Sequence, residues 1–132
     1  MSAFTKSVLL LWVLTLLSAN TVVLARTRVR IINALSGNQP LSVHCKSKDD
    51  DLGQHTVYPG SFYEFSFGIS YIGETLFFCS FQWSGASHNF DIYRYKRDDK
   101  VCGDGCFWNI KQTGPCRVLP APSPTPPCFP WN

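Results

Sequence analysis

The 132 residues carry 12 lysines and arginines against 9 aspartates and glutamates, a net charge of +3. A chain of that size makes one domain, and so slight a charge excludes a nucleic-acid binder, which gathers Lys and Arg on one face. Here the signs are mixed, with Lys48 beside Asp49 and Lys96-Arg97 beside Asp98-Asp99.

In chain order, the first segment reads as a secretory leader: Lys6 precedes an apolar run from Val8 to Leu17, and the small residue Ala25 marks the cut. Ser18, Asn20 and Thr21 break the run well short of the ~20 apolar residues a membrane span needs, so no membrane insertion of the mature chain is expected. Lys6 is the only charged residue removed, so a mature chain from Arg26 carries 11 of the 12 basic residues and all 9 acidic ones, a balance of +2. A membrane-active defence protein carries a stronger cationic excess on an amphipathic face.

Seven short strands follow. Arg28 to Leu35 puts Val29 and Ile31 on one side and Arg28, Arg30 and Ile32 on the other, then turns at Ser36-Gly37-Asn38. Leu41 to Ser47 points Leu41, Val43 and Cys45 inward and opens into a charged loop, Lys46 to Asp51. A third strand runs from Gln54 to Tyr58, and Ser61 to Phe67 gathers Tyr63, Phe65 and Phe67 on one face. Thr75 to Trp83 aligns Phe77, Cys79, Phe81 and Trp83 as the most apolar face of the chain, the expected centre of the core. After the turn at Ser84-Gly85-Ala86-Ser87, His88 to Tyr95 sets Phe90 and Ile92 against Asp91, Tyr93 and Tyr95, a half-exposed strand that leaves the two tyrosines, with Tyr71, available to a sugar. Lys96 to Lys100 is a polar connection with room for a helical turn, and the last strand, Phe107 to Lys111, points Trp108 and Ile110 inward. With no sustained 3.6-residue periodicity, the pattern predicts an all-β fold, a small disulfide-stabilised antiparallel β-sandwich over residues 26–116.

From Arg117 the prolines of LPAPSPTPPCFPWN predict an extended tail over residues 117–132, outside the domain. Cys45, Cys79, Cys102, Cys106, Cys116 and Cys128 form an even set in an oxidising compartment, so three disulfides are expected, with Cys128 tying the tail to the body. Spacing alone selects none of the 15 connectivities open to six cysteines. No zinc site or other cofactor is expected, because Cys102 and Cys106 are not a close ligand pair and no second pair follows. Asp49, Asp50 and Asp51 lack the spaced ligands of a calcium loop. His44, His55 and His88 lie on separate segments, so nothing local pairs two imidazoles for acid–base cleavage of RNA, and the chain reads as a non-enzyme.

VHCKSKDDDLG, TLFFCSF with Trp83, HNFDIY, and RDDKVCGDGCFWNI with GPC occur in an order that resembles the plant self-incompatibility S-protein homologue family, over about Val29 to Cys116. The resemblance implies a secreted β-sandwich that acts as an extracellular recognition ligand for a cell-surface receptor; a monomer is expected. Cys45, Cys79, Cys102 and Cys106 match family positions and Cys116 matches a subset. The three residues between Cys102 and Cys106, Ser70, Cys128 and the proline-rich tail are departures. Loops freed from packing carry recognition. The expected receptor contacts are therefore Lys46, Lys48, Asp49, Asp50 and Asp51; Ser84 and His88; and Arg97, Asp98, Asp99 and Lys100. The alternatives are a secreted disulfide-rich defence protein and a cell-wall glycan-binding module.

Overall fold

A computed structural model describes residues 26–69, 74–119 and 127–132. The leader, the cut at Ala25, Ser70, Tyr71 and residues 120–126 of the tail lie outside them. Among the described residues the strands are β1 (Thr27–Asn33), β2 (Leu41–Lys46), β3 (Asp51–Val57), β4 (Phe62–Phe67), β5 (Leu76–Trp83), β6 (Ala86–Arg94), β7 (Gly105–Lys111) and β8 (Gly114–Val118), with a helix, α1 (Tyr95–Cys102), between β6 and β7. They form two four-stranded sheets, β4-β1-β7-β8 and β3-β2-β5-β6. All pairs are antiparallel except β1 with β7, which run parallel.

The alternating residues of β1, β2, β5 and β7 meet between the sheets. Val29, Ile31, Val43, Phe81, Trp108 and Ile110 are fully buried there, the expected fate of the period-2 apolar set. Aromatic rings stitch the layers. Tyr63 of β4 stacks on His55 of β3, while Phe67, four residues on, meets Phe77 of β5 and Tyr93 of β6 at 4.4 and 4.9 Å.

Three disulfides close at different places. Cys45–Cys79 links directly opposed residues of β2 and β5, Cys102–Cys106 fastens the end of α1 to the start of β7, and Cys116–Cys128 fastens the tail to β8.

Four expectations need correcting. The strand expected from Gln54 begins at Asp51, because the β2–β3 hairpin pairs Lys46 with Asp51. An eighth strand forms at Gly114–Val118; Pro115 is accommodated because this strand is the edge of its sheet. Tyr93 is not half-exposed but fully buried. The register slips by one residue between Cys79↔Phe90 and Phe77↔Tyr93, a bulge that turns Tyr93 inward.

The fourth concerns the tail, whose end packs on the body instead of lying outside it. The Arg117 amide donates to Pro127 O at 2.8 Å and the Phe129 amide to Pro115 O at 2.9 Å, so residues 127–129 run beside β8 as a short extra strand. The chain then crosses to the other sheet, where the Asn132 amide donates to Asn89 O at 3.1 Å. On the way Phe129 packs on Phe90 and Trp108, and Trp131 lies near Phe81 and parallel to His88. Trp131 Nε1 donates to Gln112 O at 2.9 Å. This strap covers the β8 edge and seals the side of the sandwich between β8 and β6, where open edges would invite pairing with other chains.

Gly114 makes the strap fit. Its φ is +143°, and a Cβ there would sit 2.0 Å from Phe129 O. Gly114→Ala is expected to lower the unfolding free energy by about 2–4 kcal/mol through strain and displacement of the strap. Urea unfolding checks it, and an alanine variant as stable as the parent would show that the strap does not rest on Gly114.

Candidate recognition surfaces

The β2–β3 turn is the most charged projection on the molecule, and hydrogen bonds hold it. The Ser47 amide donates to Asp50 O at 2.8 Å and the Asp50 amide to Ser47 Oγ at 3.1 Å. Asp51 accepts from the Gly53 amide at 2.9 Å and from His44 Nε2 at 2.6 Å. The Gly53 amide first, then His44, holds the Asp51 carboxyl below its usual range, since donors to a carboxylate favour its charged form. Lys46, Lys48, Asp49, Asp50 and Asp51 are all exposed. The buried Cys45–Cys79 bridge sits at the base of the turn.

Beside the turn, the outer face of β2, β5 and β6 forms a groove of about 330 Å³ lined by His44, Lys46, Phe78, Ser80, Asn89 and Asp91. Phe78 is 42% exposed. A second depression, about 300 Å³, lies along the same face at Ser42, Gln82 and Trp83.

Of the three loops expected to carry recognition, two share one end of the sheet and the third lies at the other. Lys46 opposes Phe78, and Leu76 opposes Arg94, so the β2–β3 turn and α1 share one end of the sheet. Trp83 opposes Ala86, which puts Ser84 and His88 at the other end. Ser84 is exposed, whereas the His88 ring stacks at 12° on Trp131. The other two imidazoles are held elsewhere, His44 by Asp51 and His55 by Tyr63.

Within α1 the expected contact residues divide. Lys100 is exposed and Asp99 half-buried, but Asp98 is 0% exposed and therefore cannot be a surface contact. Its carboxylate accepts from the Arg94 amide at 2.8 Å, from Arg97 Nε and Nη2 at 2.8 Å each, and from Arg117 Nη2. Arg97 turns inward too, donating to Asp91 O at 2.7 Å. Both guanidiniums lie over the Trp108 and Phe129 rings at 4.9–5.5 Å. A charge run in sequence is ordinarily a solvated loop; only the folded position of Arg117, 19 residues on, reveals that one of these carboxylates is internal.

The sugar-binding expectation loses one of its three tyrosines. Tyr93 is buried, and burial first, then the Asp99 and Asp98 charges, push its phenol up to about 12. Tyr95 is half-buried and Tyr71 lies outside the described residues. Among the described residues, no group of three or more His, Cys, Asp or Glu side chains is arranged to hold a metal, and no helix is long and apolar enough to cross a membrane.

The fold and these surfaces define a class: a small β-sandwich stapled by three disulfides, with its ionic cluster inside and its charged turn outside. Residues 28–131 match the family model for plant self-incompatibility protein S1. The chain belongs to that family. It is 48% identical over 120 residues to S-protein homolog 2 of Arabidopsis thaliana, covering 87% of this chain and 74% of the relative. It is 46% identical over 107 residues to S-protein homolog 5 of the same plant, covering 81% and 80%. A solved structure of an SPH (Self-Incompatibility Protein Homologue) protein superposes with a TM-score of 0.58 at 18% identity, covering 80% of this chain and 94% of that one. That protein is described as one of a widespread family of small, highly stable, secreted proteins from plants.

Two predictions follow from the buried groups. Asp98→Asn keeps the shape but strands Arg117 without its counter-charge, so it is expected to cost about 3–5 kcal/mol in urea unfolding; a loss below about 1 kcal/mol, the range of exposed pairs, would contradict the buried cluster. Tyr93 binds its proton more tightly folded than unfolded, so its contribution is complete below pH 10.0 and is lost as pH rises towards about 12. Alkaline unfolding in that window, accompanied by phenolate absorbance, checks the sign. A Tyr93→Phe protein should lose less stability there, and an identical alkaline limb in both proteins would count against the assignment.

Proposed function

We propose that this protein is a secreted, non-enzymatic recognition ligand read by a cell-surface receptor, and that the β2–β3 turn is the part read. One observation carries the reading: Lys46 to Asp51 is at once the most charged exposed segment and internally hydrogen-bonded, from Ser47–Asp50 through to Gly53–Asp51. A pre-ordered turn loses little conformational entropy on binding, and its two lysines followed by three aspartates favour one complementary partner over others. The adjoining groove at Phe78 offers an apolar contact next to the charges.

The leader-like run from Val8 to Leu17 and the pairing of all six cysteines support an extracellular setting. The self-incompatibility family supports recognition over catalysis. Ser84, exposed at the far end of the sheet, belongs to another surface than the turn, whereas exposed Lys100 of α1 lies at the turn's own end.

The test is saturable binding of the labelled, oxidatively refolded mature chain to plant protoplasts. Reversing Lys48→Glu, Asp49→Lys and Asp50→Lys together is expected to weaken binding by at least ~10-fold while circular dichroism is unchanged, because these side chains are exposed. Undiminished saturable binding by the reversed protein would remove the turn from the interface.

A further inference from the structure

We propose that the outer face of the β4-β1-β7-β8 sheet is a separate docking surface, built to take an acidic protein segment that carries an apolar or aromatic side chain at its centre. The inference is independent of the β2–β3 turn, which belongs to the other sheet.

The register defines the face. Glu64, Arg30, Phe107 and Val118 lie side by side in one row across β4, β1, β7 and β8, and Phe62, Ile32 and Asn109 form the next. The outward row of an antiparallel sandwich is ordinarily polar. On the other sheet the outward row of Thr56, Ser42, Gln82 and Ser87 obeys that rule, and Phe78 stands exposed apart from it, opposite Lys46. Here the centre is apolar instead. Phe62 is 50% exposed and Val118 37% exposed, with Ile32 and Phe107 half-buried between them.

Arg30 organises this centre. Its guanidinium lies 4.1 Å over the Phe62 ring and 4.6 Å over Phe107, and its Nε donates to Glu64 Oε1 at 3.0 Å. The four side chains are therefore fixed before any partner arrives, which removes part of the ordering cost of binding. Aromatic residues and arginine at the centre of a patch are the composition of protein–protein contact sites.

Charge at the rim selects the partner. Arg26 and Arg28 stand at one end and Lys111 at the other, all exposed, and among the described residues none of the three has an ion-pair partner. The carboxylates nearby are Glu64, already paired with Arg30, and Asp104, on the turn whose carbonyl accepts from the Arg28 amide. The unpaired excess is cationic, so the complementary segment is acidic. A second copy docked face to face would set these cations against themselves across a two-fold axis. Three spare cations are too few to track a nucleic-acid backbone.

The test uses the oxidised, refolded mature chain to select from a random peptide library of about twelve residues, a length that spans such a groove or face. Selected peptides are expected to carry several Asp or Glu around Trp, Phe or Leu. A synthetic copy, titrated by fluorescence anisotropy, should bind at least ~10-fold more weakly to Phe62→Ala and to Arg28→Glu with Lys111→Glu, and equally well to the protein with the reversed β2–β3 turn. The charge variants touch only exposed side chains, so they report even if Phe62→Ala perturbs the sheet. Selected peptides without acidic enrichment, or binding indifferent to all these substitutions, would overturn the proposal. So would sensitivity of polygalacturonate or phosphatidylserine-vesicle binding to the same substitutions with no peptide bound, or a Phe62-dependent dimer in sedimentation. Loss of peptide binding on reversing the turn alone would move the site to the other sheet.

Discussion

The carboxylate of Asp98 is where the separate parts of this molecule are joined. It takes hydrogen bonds from the end of β6 through the Arg94 amide, from α1 through Arg97, and from β8 through Arg117, while lying entirely out of water. Removing the Asp98 carboxylate and the Arg117 guanidinium from solvent, with much of Arg97, is costly, and the cluster persists because each charge meets both an opposite charge and a further hydrogen-bond or ring partner. The carboxylate receives several charge-assisted hydrogen bonds, and the guanidiniums lie on the Trp108 and Phe129 faces. At Arg97 a lysine could not reproduce the contact, since only a planar fork both stacks and donates in parallel. Among the described residues Arg117 Nε and Trp108 Nε1 have no hydrogen-bond partner, which is part of what the arrangement costs.

The strap and the disulfides complete what so small an apolar core cannot do alone. Phe129 rests on the same Trp108 ring that Arg97 and Arg117 face, so the tail, the helix and two strands share one aromatic floor. Cys116–Cys128 holds the tail's entry and Trp131 its exit, against Phe81, His88 and Gln112. With β8 covered by the strap, the interior is closed along that side, and what faces outward is free for recognition: a hydrogen-bonded charged turn on one sheet and an aromatic, cationic face on the other.

Most of the strands were legible because alternation is local. Val29 and Ile31, Val43 and Cys45, and Phe77, Cys79 and Phe81 all point where a period of two places them. Tyr93 was not legible, because a one-residue bulge against β5 reverses the alternation and nothing in HNFDIYRY announces it. Strand β8 was hidden by Gly-Pro, which reads as a turn, and the docking of the tail by prolines that read as a linker; the Gly114–Phe129 contact that settles both is non-local. The charged turn at Lys46–Asp51 could be found from composition, but its separation from Ser84 and His88 depends on strand register. Arg28, Arg30 and Ile32 were visible as an outward set; their neighbours Phe62, Phe107 and Val118 became visible only once β1 was known to lie between β4 and β7.

The account makes β6, α1, β8 and the strap one cooperative unit centred on Asp98. Native-state hydrogen exchange of the oxidised protein tests this most directly, by comparing the amides of Arg94, Arg117 and Phe129. All three donate in that unit, to Asp98, Pro127 and Pro115, and are expected to exchange with a common opening free energy close to that of global unfolding. A Phe129 amide that exchanges through a small local opening, with Arg94 still protected to the global limit, would contradict it.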